Sequence, residues 1–345
     1  MTDRLARLQS QLEEPLLVSS PVDVRYLTGL ASSNVALLLT PNETRLYTDF
    51  RYVERARAIP GIELVQTRRH LYAELPSLVE GRIGFEPNTL TYERYALLTA
   101  GGIELVPRPG LVGAMRAVKD EAEQEAIRRA AAITSGAFAR LAEEPFVGRR
   151  ERDVAWRMEQ LFHELGGEEL AFPVIVASGP TGGSPHAVPG DRVIEPGETV
   201  VVDAACKLDG YCSDCTRTFL TGELPDELRR AYEVTLEAQL AGLAAVRADA
   251  DGVAVDGIAR GVIEAAGFGE QFGHGLGHGL GLEVHEAPYL NVEFPSVLAA
   301  GNVVTVEPGI YLPGKGGVRI EDLVIVADGG AEVLTPFTKD PVIVG

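Results

Sequence analysis

Between Gly273 and Gly281 glycine takes every second position, five of nine, in the run GHGLGHGLG. Each glycine costs a helix interior about 1 kcal/mol relative to alanine, so this density excludes a helix and requires an extended chain. In that form His274 and His278 share a face but stand roughly 13 Å apart. The His-x-x-x-His spacing, which on a helix would chelate one ion, therefore gives the two imidazoles separate tasks. Glycine on the alternate face lets another backbone or a ligand approach closely. Three of the six histidines, His274, His278 and His285, lie within this segment and its continuation. One reads as a metal ligand and the others as groups lining the same cleft. His186 sits apart in a Gly/Pro-rich loop, TGGSPHAVPG.

Partners for such a ligand come from two predicted strand pairs. In ETVVVDAACKLDGYCSDCTRTFL, Asp209-Gly210 is a strong signal for a two-residue hairpin turn. That turn pairs Leu208 with Tyr211, and opposed residue numbers then sum to 419, which sets Asp203 against Thr216. Asp214, two residues from Thr216, shares the face of Asp203, with backbones about 7–8 Å apart and side chains free to converge. The same parity turns Cys215 away from Cys212. The C-x-x-C is thus predicted not to pinch an ion, and Cys206, Cys212 and Cys215 to be free, packed thiols.

The second pair repeats the arrangement. NVVTVEPGIY and GGVRIEDLVIV are strand-like, and a turn centred near Gly314 sets Glu307 opposite Glu321. Pro308 and the neighbouring glycines invite a bulge there. Four carboxylates on inward-looking apolar strands repel one another, so they take up protons or demand cations. Two divalent ions would satisfy them.

The rest of the chain sets the frame. At 345 residues it exceeds what one core usually organises, which predicts two domains. Short apolar runs alternate with helix-like stretches over residues 15–106, the pattern of an α/β domain. PRPGLVGA, 107–114, reads as an irregular linker, with the boundary near Gly113. Beyond it Asp120 and Glu123 open a helix with a capping box. A pair of helices followed by an acidic hairpin then occurs twice, which suggests two related halves. A net charge of −19 disfavours nucleic acid and anionic membrane surfaces as partners. No apolar run approaches the roughly 20 residues that span a bilayer, and the N-terminal MTDRLARLQSQLEE lacks an apolar signal core, so cytoplasm is the expected location.

With these residues assembled, the C-terminal part resembles the pita-bread metallopeptidases that include methionine aminopeptidase, Xaa-Pro aminopeptidase and Xaa-Pro dipeptidase. The resemblance rests on VVDAACKLDGYCSDCTRTF, GLGHGLGLEVHE, VTVEPGIY and GGVRIEDL. It implies Asp203, Asp214, His278, Glu307 and Glu321 as ligands of two metal ions per subunit, Mn, Co or Zn. SSPVDVRYLTGL and RLYTDFRYVERA resemble the creatinase-type N-terminal domain of the Xaa-Pro branch. The implied fold is α/β (α+β), with a creatinase-type domain over 1–112 and a pita-bread catalytic domain over 113–345. Carried over residue by residue, the branch's other active-site groups fall on His186, His274, His285 and Arg319.

The implied activity is hydrolysis of the Xaa-Pro bond of proline-containing di- or oligopeptides by a homodimer. His285 and His186 would stabilise the oxyanion and the scissile carbonyl, Glu307 would relay a proton, and Arg319 would orient Glu307 or another site carboxylate. Two departures stand out. Ala205 replaces a usual glycine, and Tyr289 stands where some prolidases carry an arginine for a dipeptide's carboxylate. Arg45 and Arg51 are the candidate substitutes for that arginine. Dipeptidase activity is the first expectation, and release of the N-terminal residue from longer Xaa-Pro peptides the alternative. A metal-free binding scaffold or a creatinase-like hydrolase would be expected to lack part of the ligand set, which here is complete.

Overall fold

A computed structural model describes residues 2–345. The chain divides after Arg116 into two compact units. In the first, six short strands form one mixed sheet: β1 (Leu16–Val18), β2 (Val35–Leu39), β3 (Thr44–Asp49), β4 (Glu63–Thr67), β5 (Arg82–Phe85) and β6 (Glu104–Pro107), in the order β4-β3-β2-β1-β5-β6. The central runs LLV and VALLL are buried throughout, as strands covered on both faces must be. β3, TRLYTD, has too many polar residues to stand out as an apolar run, and it is a strand because β2 and β4 pair with it on either side.

One expectation is corrected here. The segment read as an irregular linker is helical over Leu111–Ala117. Val112, Met115 and Arg116 are buried, an i, i+3, i+4 stripe that the flanking Pro and Gly residues obscured.

In the second unit the capping box at Asp120 and Glu123 is formed as predicted, and it starts a helix over Glu121–Leu141. A helix over Glu151–Glu164 follows. Next come β7 (Glu169–Leu170), β8 (Ile175–Ser178), β9 (Thr199–Asp203), β10 (Cys206–Leu208), β11 (Tyr211–Cys212) and β12 (Thr216–Leu220). Helices Asp226–Ala245 and Gly252–Ala265 open the second half. Its strands are β13 (Gly277–Gly279), β14 (Glu286–Leu290), β15 (Val303–Val306), β16 (Gly309–Leu312), β17 (Gly316–Arg319), β18 (Asp322–Ala327) and β19 (Gly330–Val333).

Both ribbons keep one register through a break. Asp209 and Gly210 both take positive φ, and Leu208↔Tyr211 and Asp203↔Thr216 pair as the turn requires. In the second ribbon β16–β17 and β15–β18 share the register that would set Glu307 against Glu321, although the ladder is interrupted at those two residues. Each ribbon packs one face on helices. Val200, Val202, Cys215 and Phe219 join Phe138 and Phe162 in one core, and Val304, Val306, Ile310, Val318 and Ile320 join Val234 and Ala238 in another. Strand alternation then turns Asp203, Thr216, Glu307, Tyr311, Arg319 and Glu321 to the opposite, inner faces.

Candidate metal centre

The glycine-rich segment does what its composition predicts. A Cβ at Gly277 would overlap the Thr305 carbonyl, and one at Gly279 the Ala287 carbonyl, so β13 lies closer to its neighbours than any other residue type permits. That approach sets the His278 imidazole against the acidic ribbons. Its Nε2 stands 3.2 Å from Glu307 Oε1 and 3.8 Å from Asp214 Oδ2. Its Nδ1 is 3.1 Å from the Gly279 carbonyl. A carbonyl only accepts, so Nδ1 carries a proton, and Nε2 is the nitrogen turned to the carboxylates: in the metal-free protein it donates to Glu307, and on losing that proton it would offer its lone pair to a cation.

Asp203, Asp214 and Glu321 each place one carboxylate oxygen within 4.8 Å of the other two. One oxygen on each of two of them is tethered by the protein. Arg319 Nη2 donates to Asp203 Oδ2 at 2.8 Å, and Thr216 Oγ1 to Glu321 Oε2 at 2.8 Å. Asp203 Oδ1, Asp214 Oδ1 and Glu321 Oε1 are buried without a hydrogen-bond partner. Three buried oxygens without partners, on three carboxylates that approach one another this closely, are costly unless a cation meets them, so the donor set fits hard or borderline divalent ions.

The electrostatics agree. Burial first, and then the neighbouring carboxylates, push Asp214 and Glu321 well above the usual range. Asp203 is raised as well, by burial, against the pull of Arg319. Glu307 goes the other way. Burial raises it, but the hydrogen bond and charge of His278 outweigh that and hold it at about 2. His278 is correspondingly raised by Glu307 against its own burial.

These groups line a cavity of about 510 Å³ that also receives His186, His274, His285, Tyr289, Tyr311 and Arg319. The His285 and His278 rings meet edge-on, 4.3 Å between centroids. His186 and His285 are exposed at the rim, whereas His274 has both ring nitrogens engaged: Nδ1 on the Gly275 carbonyl at 2.8 Å and Nε2 on Tyr311 Oη at 2.9 Å. Every nitrogen of the Arg319 guanidinium is engaged, on Thr216, Tyr311, Asp203 and the Pro185 carbonyl. Among the carboxylates its hydrogen-bonded partner is Asp203. Tyr311 is the member that sequence reasoning missed. Its odd number, shared with Glu307, Arg319 and Glu321 on the inner face, was the available signal.

Arg45 and Arg51 lie in the N-terminal unit and are already ion-paired there, Arg45 with Glu43 and Glu63, Arg51 with Asp49. The three cysteines are free and buried. Cys212 and Cys215 pack into different cores, as opposite strand faces require, and burial pushes the Cys212 thiol up to about 12.

Comparison with known proteins meets this geometry from outside. The profile of metallopeptidase family M24 matches residues 125–328, and that of the creatinase/prolidase N-terminal domain matches residues 4–118. The chain belongs to metallopeptidase family M24. Within this family it is 41% identical to the Xaa-Pro dipeptidase of Pyrococcus horikoshii over 332 residues, 95% of this chain and 94% of that one. It superposes on a Xaa-Pro dipeptidase from Bacillus anthracis with a TM-score of 0.94 at 37% identity, and on an X-Pro aminopeptidase from Thermotoga maritima with a TM-score of 0.90 at 32%; each match covers 99% of both chains. As a member of family M24 the chain is a metal-dependent peptide hydrolase with a creatinase-type N-terminal domain and a pita-bread catalytic domain. Among the described residues, no helix is long and apolar enough to cross a membrane.

Proposed function

We propose that this chain hydrolyses the Xaa-Pro peptide bond as a dipeptidase, using two divalent ions held by Asp203, Asp214, His278, Glu307 and Glu321. The observation that carries the assignment of these residues is the set of three buried carboxylate oxygens without partners, beside a histidine whose Nε2 faces the carboxylates. When bound, such ions supply Lewis acidity that polarises a carbonyl and acidifies a water. Manganese, cobalt and zinc all suit the donor set.

The chain's own residues supply the rest. His285 and His186, on the rim of the cavity, donate hydrogen bonds to the scissile carbonyl and its developing oxyanion, a contribution worth about 2.7–4 kcal/mol for one such donor. Glu307 Oε1 is occupied by Thr305 and His278, so Oε2 is the oxygen left to take a proton and pass it to the leaving nitrogen. Arg319 holds Asp203 in place and Thr216 holds Glu321. The apolar wall of Phe172, Ile175 and Val284 accepts the proline ring, and the bond before proline brings no N–H that the cleft must satisfy.

A second reading rests on Arg319. Among the described residues it is the single Lys or Arg lining the cavity, and each of its nitrogens already has a protein partner. A dipeptide's carboxylate therefore needs a cation from elsewhere, for which Arg45 and Arg51, from either subunit of a homodimer, are the proposed sources. An aminopeptidase acting on longer Xaa-Pro peptides needs none. Paired turnover of Xaa-Pro and Xaa-Pro-Xaa substrates separates the two. Under the dipeptidase reading the dipeptide is the better substrate, and Arg45→Ala or Arg51→Ala lowers kcat/KM on it about tenfold more than on the tripeptide, the loss of one charge-assisted hydrogen bond. Faster tripeptide cleavage with equal losses selects the aminopeptidase. Three buried free thiols support the accompanying proposal of a reducing, cytoplasmic location.

A further inference from the structure

We propose that Arg260 and Asp256, on the helix Gly252–Ala265, are positioning residues that fix His274 from outside the cavity. Spaced i, i+4, they form a two-pronged ion pair, Arg260 Nε to Asp256 Oδ2 at 2.8 Å and Nη2 to Asp256 Oδ1 at 2.9 Å. Their sequence, DGIAR, looks like an ordinary solvated helix pair. It is not one. The Asp256 side chain is 1% exposed, a depth at which a surface ion pair has no business unless something else uses it.

What uses it is the backbone of the glycine-rich segment. Arg260 Nη1 donates to the Phe272 carbonyl at 3.1 Å, and Nη2 to the His274 carbonyl at 2.8 Å. Asp256 Oδ1 accepts from the Leu276 amide at 2.9 Å. The guanidinium carbon also lies 4.3 Å over the Phe272 ring, which meets the His274 imidazole edge-on at 5.0 Å. One ion pair thus grips residues 272, 274 and 276 at alternate positions of the glycine-rich stretch, sharing the Leu276 amide with the Leu290 carbonyl at 2.9 Å.

The consequence runs into the cavity. With the His274 carbonyl fixed, its Nδ1–H reaches the Gly275 carbonyl, which commits the ring to the tautomer whose Nε2 accepts from Tyr311 Oη. Tyr311 Oη in turn accepts from Arg319 Nη1 at 2.9 Å, and Arg319 holds Asp203. Beyond the clamp, the Glu307 amide donates to the Leu276 carbonyl at 2.8 Å. The helix therefore orients one flank of the site without touching substrate. This inference rests on the proposed peptidase reading for its activity test, and on geometry alone for its spectroscopic one.

Arg260→Lys is the informative variant. It keeps the charge beside Asp256, so the fold is retained, but a point ammonium cannot reproduce the fork and both carbonyl contacts together. The metal-loaded variant is expected to lose about tenfold in kcat on a Xaa-Pro peptide with KM within about twofold, a differential of about 1.4 kcal/mol. In an imidazole nitrogen–proton correlation spectrum, the resonance missing in His274→Ala identifies His274. Arg260→Lys is expected to shift or broaden that resonance and leave the His70 and His163 signals in place. An unmoved His274 signal overturns the inference, as does movement of every histidine signal together. A wild-type enzyme that fails to cleave Xaa-Pro peptides refutes the peptidase reading instead, while the spectrum still judges the clamp.

Discussion

Asp214→Asn is expected to abolish Xaa-Pro hydrolysis, with a loss of three orders of magnitude or more in kcat/KM, while the protein still folds. Asp214 sits among the groups: its carboxylate reaches within 4.8 Å of those of Asp203 and Glu321, its Oδ1 has no hydrogen-bond partner, and its Oδ2 stands 3.8 Å from His278 Nε2. Asparagine keeps the shape and removes the charge. Under the proposed function, holding two cations close together would require that charge, and the ions would supply carbonyl polarisation and an acidified water, contributions of several kcal/mol each. A decade in rate is about 1.36 kcal/mol, so losing one ion alone reaches the stated magnitude. Purified Asp214→Asn is also expected to retain less than two equivalents of metal, with melting behaviour that shows an intact fold. A variant with near wild-type turnover would remove Asp214 from the site.

The second large effect concerns the metal-free protein. Asp214 and Glu321 have carboxyls pushed above their ordinary range by burial and then by the carboxylates around them, Glu321 and Asp203 for the first, Glu307 and Asp203 for the second. For a group whose folded pKa exceeds its unfolded one, the stabilisation is complete below the unfolded value, about 4 for these acids, and is lost as pH rises through the folded value. Chelator-stripped protein is therefore expected to melt at progressively lower temperature as pH is raised from 5 to 8. Each unit by which a folded pKa stands high is worth about 1.4 kcal/mol of that loss. Added divalent cation reverses it at the alkaline end, by about 2.7 kcal/mol per site at 100-fold excess over Kd. Glu321→Gln removes one titration and should flatten the slope. A stripped protein with a pH-independent melting temperature, unmoved by cations, would contradict the electrostatic account.

Much of this was legible beforehand, for reasons that differ by residue. The convergence of Asp203 and Asp214 followed from Asp209-Gly210, because a two-residue turn fixes every register position behind it. The shared register around Glu307 and Glu321 followed from parity about Gly314, even though the ladder breaks at Pro308. The extended path through Gly277 and Gly279 followed from composition alone. What stayed hidden depends on contacts between elements distant in sequence. Arg319 was expected beside Glu307 or another carboxylate, and its hydrogen bond goes to Asp203 across the two ribbons, a pairing that no strand register encodes. Tyr311 shares the parity of the acids, but a tyrosine in a strand gives no chemical alarm. The helix at Leu111–Ala117 was masked by Pro109, Gly110 and Gly113, and its buried stripe becomes visible once those residues are set aside. Asp256 and Arg260 were the least legible, since an i, i+4 ion pair carries no mark of the backbone it holds.

The central claim is that carboxylates from two separate ribbons, joined by His278, hold the pair of ions on which peptide hydrolysis depends. The most direct test is titration of chelator-stripped protein with manganese, cobalt or zinc, following bound metal and Xaa-Pro cleavage in the same samples. The account predicts no cleavage in the stripped protein, two equivalents bound per chain at saturation, and activity that returns with them. Undiminished cleavage by protein verified free of metal would contradict it.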